Sequence, residues 1–345
     1  MSIIQTMTGG SIRHLVPVPR SRTKGLLAET FVAIEREFAL VPPLTIHSAC
    51  PEVMAGVWAA FREIFVVDPG HRKERELVAA GVSLINECPY CVDVHSAMLD
   101  ATGDHGLAAA IRGDGHQSAD NPLLQWSKAT LTPDAAILTN RPFGQPLAPQ
   151  MLGTAFLFHY INRMVSVFLD DSPAPVRFSS RLGRNLFGRA FGGLFGRRLI
   201  AVRAEPGESL KLLERASLGE PLAWAKPAPI IASALARFDA AVQRAGEQHV
   251  PAKVRDAVAQ FLEGWQGETM PLSNQWIDQA HSGLTDEADL TAAKLALLTA
   301  VAPYRVDGKL VETFRSHFPG DSALVATTAW ASMAAAKRIA RWMAP

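Results

Sequence analysis

Glu76, Cys88, Cys91 and His95 stand in the pattern E-x11-C-x2-C-x3-H, within Glu74-Arg75-Glu76-Leu77-Val78 and Glu87-Cys88-Pro89-Tyr90-Cys91-Val92-Asp93-Val94-His95. Two thiols three residues apart can close a disulfide. An imidazole can take a thiol proton, and a carboxylate can orient the imidazole. Together they are the equipment for reducing a peroxide with a cysteine pair. The thiolate of Cys91 attacks the peroxide oxygen and becomes a sulfenic acid. Cys88 condenses with it to a disulfide, and an external dithiol restores the pair.

Local structure decides which thiol attacks. Pro89 is pre-set for the first helical position, so Cys88 falls at the N-cap and Cys91 in the first turn. Both lie where the helix dipole favours an anion, which predicts lowered thiol pKa values. Residues four apart share a helix face, so Cys91 and His95 can touch. Cys88, seven residues from His95, is about 10 Å from it along the axis. The dipole favours Cys88 as the more acidic thiol, and the imidazole favours Cys91. Proton removal needs a base within reach, so Cys91 is assigned the attack and Cys88 the resolving role. Glu76, one helix earlier, is expected to hold the His95 tautomer directly or through water.

The elements that must carry these residues are helices. Val53, Met54, Val57, Trp58, Phe61, Ile64 and Phe65 form an apolar stripe behind Pro51. Further helices are predicted over 74–85, over 89 to about 102 and over 149–170. Strand signals are scarce, so the fold class is all-α. Residues 1–25 read as a flexible N-terminal arm. Residues 26–175 read as the catalytic domain, 176–228 as a basic Gly/Arg-rich linker and 229–345 as a second domain. Arg177, Arg181, Arg184, Arg189, Arg197, Arg198 and Arg203 fall in the linker, and no acid lies between 176 and 203. Its glycines weaken a surface-helix reading, so its aromatic residues are expected to pack between domains.

The second domain repeats the first weakly. Cys88-Pro89-Tyr90-Cys91-Val92-Asp93-Val94-His95 aligns with Ala302-Pro303-Tyr304-Arg305-Val306-Asp307-Gly308-Lys309. Leu290 stands where Glu76 would. The reading is a tandem duplication whose second copy kept the fold and lost the catalytic residues. Asp93 recurs as Asp307 beside no thiol, which marks it as structural.

Composition narrows the setting. A net charge of +1 offers no field for nucleic acid or an anionic membrane. No apolar run is long enough to span a bilayer, and Met1–Gly25 carries no signal-like apolar core. Three cysteines cannot build a secreted disulfide framework, so a cytoplasmic protein is expected. Cys50 reads as a small buried apolar residue. A zinc site on Cys88, Cys91, His95 and Glu76 is the rival use of the motif, but the second ligand pair of a structural zinc site is missing. The proposed cycle requires no metal or organic cofactor. His159 on the long apolar helix reads as a packed histidine, and Asn162 and Arg163 as helix-packing or interface residues.

The motif residues and their flanks closely resemble the AhpD-like alkylhydroperoxidases of the carboxymuconolactone decarboxylase superfamily. The likeness extends to Arg75-Glu76-Leu77-Val78, His95-Ser96-Ala97-Met98-Leu99 and His159-Tyr160-Ile161-Asn162-Arg163. It implies an AhpD-like helical bundle, a homo-oligomer, and the later cysteine as the attacking one. The family's peroxidases often carry a histidine where Tyr90 stands here. The expected function is a thiol-dependent peroxidase acting on hydrogen peroxide or organic hydroperoxides. The expected reductant is an external dithiol: a thioredoxin-like protein, a lipoyl domain or a small thiol. The alternatives are a decarboxylase-like enzyme using His95 as base, and a redox-sensing dithiol protein without significant turnover.

Overall fold

A computed structural model describes residues 12–68, 70–113, 120–173, 196 and 204–343. The basic stretch 176–203 thus lies outside the described residues apart from Gly196. Twelve helices matter here: α1 (Gly25–Glu37), α2 (Pro51–Phe61), α3 (Arg72–Ile85), α4 (Pro89–Ala101), α5 (His105–Arg112), α6 (Pro122–Ala129) and α7 (Ala148–Phe168), then α8 (Pro229–His249), α9 (Ala252–Gly264), α10 (Glu287–Val301), α11 (Gly308–His317) and α12 (Asp321–Met343). Among the described residues the only extended pairing is one antiparallel bridge, Ile12 to Leu169. The fold is all-α, as the helical periodicity predicts.

Proline opens several of these helices for a shared reason. Its missing N–H costs nothing at the first turn, and its fixed φ suits a helix start. Pro51 and Pro89 lie at the first position of α2 and α4, behind Cys50 and Cys88 as N-cap residues. α2 is buried on every side from Val53 to Phe61, and α7 over nearly its whole length. Such helices form the centre of a protein rather than its surface. A π-helical turn, Arg62–Val66, follows α2 directly.

The two halves are not separate bodies. α7 packs on α12, and α2 packs on α8. One hydrophobic core runs through both, from Leu27 and Trp58 through Phe156 to Leu297 and Ile339. Arg163 of α7 donates from Nε to the Ala300 carbonyl of α10 at 2.7 Å, so this residue does bind helices together as expected. Leu290, Arg305 and Lys309 share an open cavity of about 710 Å³ in the second half.

The expected N-terminal arm joins the body at Ile12. Arg13 donates its N–H to the Phe168 carbonyl at 2.7 Å, Val18 donates to the Ser48 hydroxyl at 2.8 Å, and Leu15 is buried. These bonds tie residues 12–18 to the end of α7 and the start of α2, so this part of the arm is docked rather than loose.

Candidate active site

The turn between α3 and α4 places the thiols. Glu87 takes a left-handed φ of 50°, the conformation that usually ends a helix at glycine. Glu87 N–H donates to the Leu84 carbonyl at 3.2 Å, and Cys88 N–H reaches back to Ser83 at 3.0 Å. That is a Schellman closure, and its last residue is at once the N-cap of α4. Helix end and helix start share Cys88, so both thiols are delivered against the C-terminal end of α3. Their sulfurs lie 2.7 Å apart, unbonded.

Glu76 and His95 meet directly. His95 Nδ1 lies 2.7 Å from Glu76 Oε2, and the carboxylate is fully buried. An ionised carboxylate can only accept, so Nδ1 carries the proton and Nε2 is left as the basic nitrogen. The other carboxylate oxygen, Oε1, accepts from Arg72 Nε at 2.7 Å. The Arg72 guanidinium and the His95 imidazole hold the Glu76 carboxyl below the usual carboxylate range, against burial. The His95 ring stands edge-on to Phe158 at 4.5 Å and to Phe65 at 5.9 Å.

Cys91 and His95 face one cavity of about 80 Å³. Its walls are apolar: Phe38, Leu44, Phe61, Phe65 and Phe158 contribute, with Arg72 and Glu76 beneath. Cys88 does not line it. The residues that carry the motif are therefore together, with one qualification. Among the described residues no hydrogen bond joins Cys91 to His95, although both border the same space.

The expectation of lowered thiol pKa values fails for Cys91. Burial pushes this thiol well above its ordinary value, and the Cys88 sulfur beside it adds to the rise. Desolvation of an anion in an apolar site outweighs the partial charge of one helix terminus. The Asn162 side-chain amide pulls the other way.

Asn162 is the residue whose place the sequence does not reveal. It belongs to a buried polar network under the thiols. Asn162 Nδ2 donates to Ser83 Oγ at 3.1 Å, and its Oδ1 accepts from Asn86 Nδ2 at 2.9 Å. His159 completes the network, with Nδ1 3.1 Å from Asn86 Nδ2 and Nε2 2.9 Å from the Thr130 hydroxyl. Both ring nitrogens of His159 are thus satisfied, in keeping with a packed histidine. Cys50 is buried too. Its thiol is pushed up to about 12 and donates to the Ser322 carbonyl at 3.3 Å. Among the described residues no three His, Cys, Asp or Glu side chains converge to hold a metal ion, and no helix is long and apolar enough to cross a membrane.

Residues 51–104, which hold α2, α3 and α4, match the carboxymuconolactone decarboxylase family. The chain is 38% identical over 339 residues to an alkyl hydroperoxide reductase of Mycobacterium tuberculosis, covering 96% of this chain and 95% of that one. No solved structure matches. An all-helical chain with this motif and this full-length relative belongs to the carboxymuconolactone decarboxylase family.

Proposed function

We propose that the protein is a dithiol peroxidase that reduces hydroperoxides through Cys91 and Cys88. One observation carries the reading: Cys91 and His95 border the same apolar cavity, while the Cys88 sulfur waits 2.7 Å behind the Cys91 sulfur. The relative's description as an alkyl hydroperoxide reductase supports the same substrate class.

The steps follow from the groups present. The resting Cys91 thiol is protonated, because its anion would be buried. A peroxide entering the cavity brings its own oxygens, and Nε2 of His95 accepts the thiol proton directly or through one water. The Cys91 sulfur attacks the near peroxide oxygen. The O–O bond breaks, Cys91 becomes a sulfenic acid, and the leaving alkoxide takes the proton from His95. Cys88 then attacks the sulfenic sulfur, forming the disulfide and releasing water. An external dithiol reduces the disulfide by exchange and is itself oxidised to a disulfide. Glu76 keeps the His95 proton on Nδ1 throughout, and the Asn162 amide stabilises the Cys91 anion as it forms.

We read the second half as a degenerate copy that contributes packing rather than thiols. The aligned Pro303-Tyr304 and Val306-Asp307, with Ala302, Arg305 and Lys309 in place of the thiols and the imidazole, support that reading.

The test is single-turnover consumption of hydrogen peroxide and of cumene hydroperoxide by the pre-reduced protein. About one equivalent of peroxide should disappear with formation of the Cys88–Cys91 disulfide, and Cys91→Ser should lose the fast phase. Reduced protein that consumes neither peroxide rules the reading out.

A further inference from the structure

Arg72 belongs to no part of the motif, yet it touches every layer of the site. Its side chain is buried on the first turn of α3, one turn before Glu76. Nε donates to Glu76 Oε1 at 2.7 Å, and Nη1 donates to the Phe65 carbonyl at 2.8 Å. The guanidinium carbon lies 4.4 Å from the centre of the Phe65 ring, which in turn meets the His95 ring. A rigid fork with two separate acceptors and a ring face fixes one geometry, which a flexible ammonium cannot do as well.

We propose that Arg72 is a positioning residue for the thiol chemistry: it clamps the Glu76 carboxylate onto His95 and ties that pair to the pocket wall at Phe65. The proposal rests on the peroxidase reading for its role in turnover, but its geometry and its first test do not need peroxide.

The consequence is a matter of where one proton sits. With Arg72 on Oε1, the carboxylate stays ionised and Oε2 accepts from Nδ1–H, leaving Nε2 free to take a proton. If Glu76 picked up a proton, it would donate to Nδ1, and the neutral imidazole would carry its hydrogen on Nε2. The base would then be blocked without any change of shape. The charged and titratable groups around Glu76 are few. Arg72 and Arg75 lie on its own helix, and His95, Cys91 and Tyr90 come from α4. α7 presents Phe158, and the π-turn presents Phe65. Arg62 and Glu63 of that turn are engaged elsewhere, with Glu37, Ser209 and the Gly207 N–H. Arg75 bonds to Gln150 and the Asp68 carbonyl, not to Glu76. Among the described residues Arg72 and His95 are the only basic side chains hydrogen-bonded to Glu76.

The experiment is the rate of Cys91 alkylation by iodoacetamide against pH, in wild type, Arg72→Met, Arg72→Gln and Arg72→Lys. Arg72→Met and Arg72→Gln should move the acid limb upward by about one pH unit or more, with recovery at higher pH. At a fixed pH inside that window the rate falls about tenfold per unit moved. Arg72→Lys keeps the charge and should return the limb towards wild type. In the Glu76→Gln background, Arg72→Met should no longer move it. An unmoved limb in a folded Arg72→Met or Arg72→Gln protein, whatever the amplitude, overturns the proposal. Single-turnover peroxide consumption in the same proteins separates the two claims. A shifted alkylation limb in a protein that consumes no peroxide leaves Arg72 in place and removes the peroxidase reading.

Discussion

Glu76 Oε2 lies 2.7 Å from His95 Nδ1, joining α3 to α4 beneath an apolar pocket. The bond fixes which imidazole nitrogen is available and leaves the charge of the carboxylate buried. Glu76→Gln keeps the shape and removes that charge. Peroxide reduction should fall by about 10²-fold, since general acid–base assistance is worth that much or more. Stopped-flow peroxide consumption measures it.

The same substitution has a signature in acid stability. The folded Glu76 carboxyl is held below its ordinary 4.5. Its contribution is therefore present above the unfolded value and is lost as pH falls through the folded one. Urea unfolding followed from about pH 5 to about pH 3 should show wild type losing more stability than Glu76→Gln. At neutral pH Glu76→Gln is the less stable protein, because Arg72 is left without its charged partner at a cost of about 3 kcal/mol. Equal acid slopes for the two proteins would contradict the assignment.

His47 gives a second window. It is fully buried, stacked on Tyr160 at 5.8 Å, and its pKa is lowered from 6.5 to about 4, chiefly by burial. A lowered histidine is neutral in both states at high pH. As pH falls below 6.5 the unfolded chain takes a proton that the folded chain refuses, so stability is lost between 6.5 and about 4. The loss should be on the order of 3 kcal/mol. Calorimetry across that range should show a flatter profile for His47→Phe.

Asn162→Leu should slow Cys91 alkylation about tenfold, because a hydrogen bond to a charged group is worth roughly 1.5–3 kcal/mol. It also strands Asn86 and Ser83, which lose their Asn162 bonds, and should cost about 1–3 kcal/mol of stability. A variant that loses stability while keeping the alkylation rate would make Asn162 a packing residue only.

Gly81 faces α6 from the middle of α3. A Cβ there would lie 1.9 Å from Ser127 Oγ and 3.0 Å from Leu124 Cδ1. Gly81→Ala should destabilise by about 1–3 kcal/mol through overpacking. A shift of the thermal midpoint checks it, with no change expected in the pH dependence of thiol reactivity.

These residues show what is legible along the chain and what is not. Helices α2, α3, α4 and α7 follow from apolar periodicity, and α2, α4 and α7 also from prolines at their starts, both local signals. The cysteine pair, His95 and Glu76 are readable because their spacing places them at a helix start and on adjoining helices. Burial of the Cys91 thiol is not local. It depends on Phe38, Phe61 and Phe158 arriving from three other elements, and it reverses the pKa expected from the helix dipole alone. Asn162 reaches the thiols only because α7 packs on α3. The common core of the two halves is likewise a product of long-range packing, which the arginine-rich stretch before α8, with its suggestion of a divide, does not reveal. Arg72 stood four residues before Glu76 in plain view, but nothing in its spacing distinguished a buried clamp from an ordinary surface ion pair.

Locating the first oxidised sulfur tests directly whether Cys91 is the attacking thiol. Pre-reduced Cys88→Ser protein is treated with one equivalent of cumene hydroperoxide in the presence of dimedone, and the adduct is mapped by mass spectrometry. A dimedone adduct is expected on Cys91, with none in Cys91→Ser. An adduct on Cys88 in Cys91→Ser, with Cys91 unlabelled in Cys88→Ser, would contradict it.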